Sequence, residues 1–150
     1  MDFDQLTQII KNNTLLSKKF NGIIERKHLN SNNLPKEGFI IIYIPEVEIG
    51  HFVCYSNIHE PFFLDSFGHP PSFFNLQISA KYNKTQLQNY SSCLCGAYIL
   101  FILYHSMKAD LSIDEYIKKA FHPNDTNAND SLVFSWIKQH HIPKSILKCT

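Results

Sequence analysis

Residues 94–104, LCGAYILFILY, form the longest apolar run in the chain. At 11 residues this run is too short to span a bilayer, which takes about 20. A helix over Cys95 to Met107 would be apolar nearly all round, so it must sit at the centre of a domain and be covered on most sides. The rest of a 150-residue chain is enough to cover it once, so residues 1–150 are read as one domain.

The remaining elements follow from local patterns. Residues 3–12 read as an amphipathic helix with Phe3, Leu6, Ile9 and Ile10 on one face. Leu15 to Arg26 reads as a weaker helical or turn segment, and Ser31 to Gly38 as a loop. Phe39 to Ile44 is an almost continuous run of strand formers, expected to be buried. After a turn at Pro45 to Gly50, strands are expected at His51 to Tyr55 and Pro61 to Asp65, joined by a hairpin loop at Ser56 to Glu60. Ser66 to Pro71 is a loop. Phe73 to Tyr82 is helical or irregular, with a strand around Leu76 to Ile78 as the alternative. Gln88 to Leu94 is a turn-rich approach to the apolar helix. Ser112 and Glu115 have capping-box spacing for a helix over Ile113 to Phe121. His122 to Asn129 reads as a polar loop, and Asp130 as the cap of a last helix over Ser131 to His140, with Pro143 beyond its end. The expected class is α+β: a small, mostly antiparallel sheet packed against a central buried helix and flanking helices.

Composition narrows the functions. The chain is 44% hydrophobic with 12 Phe and 7 Tyr, which argues against disorder. A net charge of +1 gives no support for strong non-specific nucleic-acid binding. No basic, apolar leader opens the sequence, so secretion is not expected and the four cysteines, Cys54, Cys93, Cys95 and Cys149, are expected as free thiols. Cys93 and Cys95 do not have the spacing of a zinc knuckle. In that setting the Asn83-Lys84-Thr85 triplet has no meaning for glycosylation.

Four residues carry candidate chemistry. Cys95 opens the apolar helix, where unpaired backbone N–H groups and the helix dipole favour a thiolate, and Gly96 allows a close approach. The bland alternative is a small buried residue. Cys93 is the local competitor, but it lies in the preceding turn and lacks the following glycine. His51, one of eight histidines, starts a strand directly after Gly50, a rigid place for a general base. Asp65 follows Phe62-Phe63-Leu64 at a strand edge and can accept the second imidazole N–H; it also suits the start of a turn. If the two strands form a hairpin, His51 and Asp65 meet at its open end. Gln88 can offer its amide to a developing oxyanion beside the Cys95 backbone N–H.

The order Gly50-His51, Leu64-Asp65-Ser66-Phe67-Gly68, Gln88 and Cys95-Gly96 resembles the adenovirus protease family (adenain), related in catalytic layout to the SUMO-specific proteases. The resemblance extends almost end to end. It implies a papain-like or adenain-like fold, with Cys95 as nucleophile, His51 as base, Asp65 as orienter and Gln88 as oxyanion donor. It also implies a viral maturation protease, of virophage or transposon type, that cleaves capsid or core precursors in the virion, host-cell cytoplasm or viral factory. No cofactor or metal is expected, and a monomer is. The sequence departs from the family at Phe52, where Trp is common, and at Asp65, where the adenoviral enzymes have Glu. It has no cysteine between Cys54 and Cys93 to link an activating peptide, and its charge does not support activation by DNA.

Other functions compete. An isopeptidase for ubiquitin-like modifiers would share every catalytic residue. An acyltransferase of the bacterial effector kind needs basic residues for an inositol phosphate, and no dense Lys/Arg cluster is present. A non-catalytic interaction protein, or a metal site from His51, His59, Cys93 and Cys95, completes the set.

Overall fold

The computed structural model describes residues 1–46 and 50–140. Helix α1 (Phe3–Lys11) starts at a reciprocal cap, in which Asp2 accepts from the Gln5 amide and Gln5 accepts from the Asp2 amide, both at 2.9 Å. Leu6, Ile9 and Ile10 are buried as their spacing predicts. Phe3 is 45% exposed instead, with its ring edge-on to Tyr43 and Phe52.

A short helix α2 (Thr14–Lys19) leads directly into strand β1 (Phe20–Glu25). The helical or turn reading of Leu15 to Arg26 therefore fails in its second half. Phe20, Ile23 and Ile24 are recruited by pairing with a distant strand, which local spacing does not reveal. Strands β2 (Gly38–Ile44), β3 (His51–Asn57) and β4 (Pro61–Leu64) follow, then a two-residue β5 (Lys81–Tyr82). Phe73 to Ala80 is a short 3-10 end followed by irregular chain, so the alternative of a strand at Leu76 to Ile78 is not realised. A 3-10 turn at Pro71–Phe74 is found before it, and the pairing to β4 is made by Lys81 and Tyr82. Strand β3 also runs two residues further than expected, into the loop assigned to Ser56 to Glu60.

The sheet order is β1-β2-β3-β4-β5. Its two central pairings are antiparallel and its two outer ones parallel, so the sheet is mixed rather than mostly antiparallel. Both faces are covered, which explains the unbroken apolar run of β2. Phe39 and Ile41 join the core on the helical side, while Ile40, Ile42 and Ile44 join Val53, Tyr55, Phe63, Phe74 and Leu76 on the other.

Helix α3 (Cys95–Lys108) is the central helix. Gly96 through Leu103 are all buried, and it packs on β3 with α1, α2, α4 and α5 around it. Helix α4 (Ile113–Ala120) has the Ser112–Glu115 capping box. Helix α5 (Thr126–Lys138) begins earlier than expected, capped by Asp125 and not by Asp130. Asp130 accepts from the Tyr98 hydroxyl at 2.6 Å and from the Asn89 amide at 3.3 Å. Its side chain is spent on tertiary contacts, which left the true cap hidden among polar neighbours. The chain is thus α+β. Among the described residues no helix is long and apolar enough to cross a membrane. Pro143 and part of the Pro45 to Gly50 turn lie outside those residues.

Candidate active site

The β3–β4 hairpin places the first two candidates. Cys54 pairs with Leu64 and Asn57 with Pro61, so the register brings Asp65 level with Val53, two residues from His51 at the same open end. There the His51 Nε2 lies 2.7 Å from Asp65 Oδ1, and both side chains are buried. An ionised carboxylate only accepts, so His51 donates from Nε2 and is left with Nδ1 for another partner. The sulfur of Cys95 is near enough to the His51 ring for hydrogen bonding and charge to shift the titration of both groups. Gly50 has a φ of +82°, and a Cβ there would meet the Tyr43 hydroxyl at 2.5 Å, so the turn into His51 requires glycine.

Cys95 is the first residue of α3, and the residue as a whole is partly exposed although its sulfur is largely enclosed. The helix has no side-chain cap, so its first amides are not taken by a neighbouring oxygen. Burial of the sulfur opposes ionisation. The His51 hydrogen bond and charge, with the backbone amides of Phe52 and Gly96, outweigh it and hold the thiol below its ordinary pKa. His51 shows the matching shift. Burial disfavours the imidazolium, yet hydrogen bonds and charge from Asp65 and Cys95 raise its pKa to about 9. Thiolate and imidazolium therefore support each other at neutral pH. Burial also works against the charge of Asp65, but His51 and the amides of His69 and Phe67 hold its pKa down. Cys54 gives the contrast: it lies in the apolar core, and burial alone drives its pKa up.

Two expectations about this segment change. Gly96 admits neither a backbone nor a ligand; the space a Cβ would take lies 3.0 Å from Leu6 of α1. Cys93 is disulfide-bonded, so the expectation of free thiols holds for Cys54 and Cys95 and fails there. A cysteine in a disulfide offers no thiolate, which removes the local competitor to Cys95. Cys149 lies outside the described residues.

Gln88 is buried, and its carboxamide is held at both ends. Oε1 accepts from the Ser66 hydroxyl, and Nε2 donates to the Ser92 carbonyl at 2.8 Å and the Ser92 hydroxyl at 3.1 Å. A carbonyl can only accept, which fixes the orientation of the amide. Its N–H donors are engaged by Ser92, on the turn that precedes Cys95.

Sequence reasoning missed the residues that hold this arrangement. The second oxygen of Asp65 accepts from the His69 amide at 3.1 Å and from the His69 ring Nδ1 at 2.9 Å. Asn83 follows β5 and completes the sheet with its side chain: its Oδ1 accepts from the Asp65 amide, and its Nδ2 donates to the Asp65 carbonyl. The Ser66 carbonyl accepts from the amides of Leu87 and Gln88 at 2.8 and 3.0 Å. Of these only His69 left a signal, as the polar residue four positions after Asp65 in the string DSFGH. Phe67 stacks on the His51 ring at 5.1 Å, and Phe52 packs against Phe3 and Tyr43 where an indole is usual in the resembled family.

Among the described residues no group of three or more His, Cys, Asp or Glu side chains is arranged to hold a metal ion, and His59 stands apart from the site. The chain matches no family model, and no curated protein is significantly similar to it.

Proposed function

We propose that this chain is a cysteine endopeptidase with an adenain-like catalytic layout, acting on viral capsid or core precursors. The observation that carries the proposal is the continuous chain from Asp65 through the buried His51 ring to the sulfur of Cys95 at the start of a helix. A buried structural cysteine needs no carboxylate-braced imidazole beside it. The substrate class comes from the resemblance of the motif set.

In this mechanism the Cys95 thiolate attacks the scissile carbonyl carbon and forms the carbon–sulfur bond. The oxygen takes the displaced electron pair and is held by the Cys95 backbone N–H and by Gln88. The longer of the two Gln88 bonds, to the Ser92 hydroxyl, is the one exchanged for the oxyanion. His51 gives its proton to the leaving nitrogen as the carbon–nitrogen bond breaks. It then takes a proton from water, which attacks the thioester and regenerates the thiolate as the acid product leaves. Asp65 keeps Nδ1 of His51 pointed at the sulfur throughout.

The test uses the full chain and its Cys95→Ala variant, each mixed with viral capsid and core precursors, with new termini identified by mass spectrometry. Termini produced by the native chain alone support the proposal. Release of a ubiquitin-like modifier with no precursor cleavage reassigns the site to deconjugation. No cleavage of either kind rejects it.

A further inference from the structure

Asp65 is fully buried and receives four N–H contacts, two on each oxygen. His51 and the Phe67 amide serve Oδ1, while Oδ2 is served wholly by His69, through its amide and its ring. Two histidines thus share one carboxylate, and only His51 touches the nucleophile.

We infer that His69 is a positioning residue of this site, clamping one oxygen of Asp65 so that the carboxylate plane stays aimed at His51. The inference rests on the protease proposal above. A carboxylate turns readily about its last bond, and a partial turn would swing its oxygen off the His51 N–H. With His69 on the opposite oxygen the turn costs a charge-assisted hydrogen bond. The His69 ring is itself held. It stacks on Phe73 at 3.9 Å, nearly parallel at 10°, and meets Phe74 edge-on at 6.1 Å. The loop that delivers it is tight: the Gly68 amide donates to the Asp65 carbonyl at 2.9 Å, and Gly68 sits at a φ of +83°. A Cβ on Gly68 would come within 2.9 Å of the Thr85 backbone, so the loop admits no other residue without shifting. The hydrogen on His69 Nδ1 follows from the acceptor it faces, and that tautomer is the signature of the clamp.

The test reads the rate at which iodoacetamide alkylates Cys95 at pH 6, followed by mass spectrometry in the full chain. His69→Ala should slow labelling by about tenfold, the scale of one hydrogen bond to a charged group. His69→Asn, whose carboxamide can present an N–H to the same oxygen, should keep most of the rate. In the Asp65→Asn background His69→Ala should change nothing further, because it acts only through Asp65. The inference is overturned if His69→Ala labels like the native chain, or if it slows labelling equally in both backgrounds. If that variant does not fold, imidazole ¹⁵N spectra of the native chain decide: neutral His69 protonated on Nδ1 supports the clamp, and on Nε2 overturns it. Slow labelling of native Cys95 rejects the protease proposal itself, and this inference with it. Fast native labelling that His69→Ala leaves unchanged rejects the clamp alone.

Discussion

His51 and Asp65 reach the site on a hairpin, whereas Gln88 and Cys95 reach it on a turn that becomes a helix. The two halves are held by different means. Backbone ladder bonds of β2, β3 and β4 fix the hairpin, and the acid gains further N–H contacts at its end. The turn has no ladder. Side chains splint it instead: Gln88 to Ser66 and Ser92, Asn89 to Asn127, and Asn129 to the Leu87 carbonyl at 3.1 Å. The base is placed by strand register, and the oxyanion side by a handful of replaceable side chains together with the bonds of the Leu87 and Gln88 amides to the Ser66 carbonyl. Damage to the first half should therefore appear in chemistry, and damage to the second in chemistry and stability together.

The largest effect should come from Asp65→Asn. Both oxygens of Asp65 receive N–H groups, so a carboxamide must turn its NH2 against one pair of donors. It also removes the charge that supports the imidazolium, and kcat should fall by up to about 10⁴-fold. Precursor cleavage and a melting curve measured together would check it; an unaltered kcat would detach the hairpin from catalysis. Gln88→Ala should lower kcat by about 10²-fold. It should also lower Tm, because Ser66 and Ser92 lose a buried partner. A lower Tm with kcat intact would make Gln88 a splint and nothing more.

Titration sharpens the same contrast at the point where the halves meet. The Cys95 thiol is held down and the His51 imidazole is raised to about 9, so the ion pair forms as pH rises through the lowered thiol value and is lost as pH rises through the raised imidazole value. Cys95 alkylation should therefore reach half-maximum at a pH well below the ordinary thiol value of about 8.5. Turnover should decline only towards pH 9. An alkylation midpoint at the ordinary value would mean the halves do not couple. The smallest effect should be that of Asn129→Ala, which removes the partner of the His122 amide and carbonyl and one of the two donors of the Leu87 carbonyl, and should cost about 2 kcal/mol in denaturant unfolding. Loss of kcat without loss of stability would contradict a purely splinting role.

The hairpin half was largely legible in the sequence. Its strands are local, apolar and bounded by Gly50 and Gly68, and the placement of His51 on the same face and at the same open end as Asp65 follows from a period of two. Strand β1 was not legible, because Phe20, Ile23 and Ile24 acquire strand character only from parallel pairing with β2, across a bulge. The start of α5 was hidden for a related reason. Asn127, Asn129 and Asp130 are weak helix formers locally, and each is drawn into the helix by a partner elsewhere in the fold. The four candidate site residues carried chemical signals of their own. Ser66, His69, Asn83 and Ser92 support them through contacts that no spacing rule encodes.

Ser66 grips Gln88 through both its carbonyl and its hydroxyl, and it is the immediate neighbour of Asp65. The excursion between positions 66 and 88 therefore begins and ends at one fastening. An insertion beside the exposed Gln77 or Ser79 should have little effect on closure, since the entropy of closing a loop grows only slowly with length, whereas Leu76, between them and Phe74, is held in the core. A change of length there would leave the segments that carry Asp65 and Gln88 fastened in register.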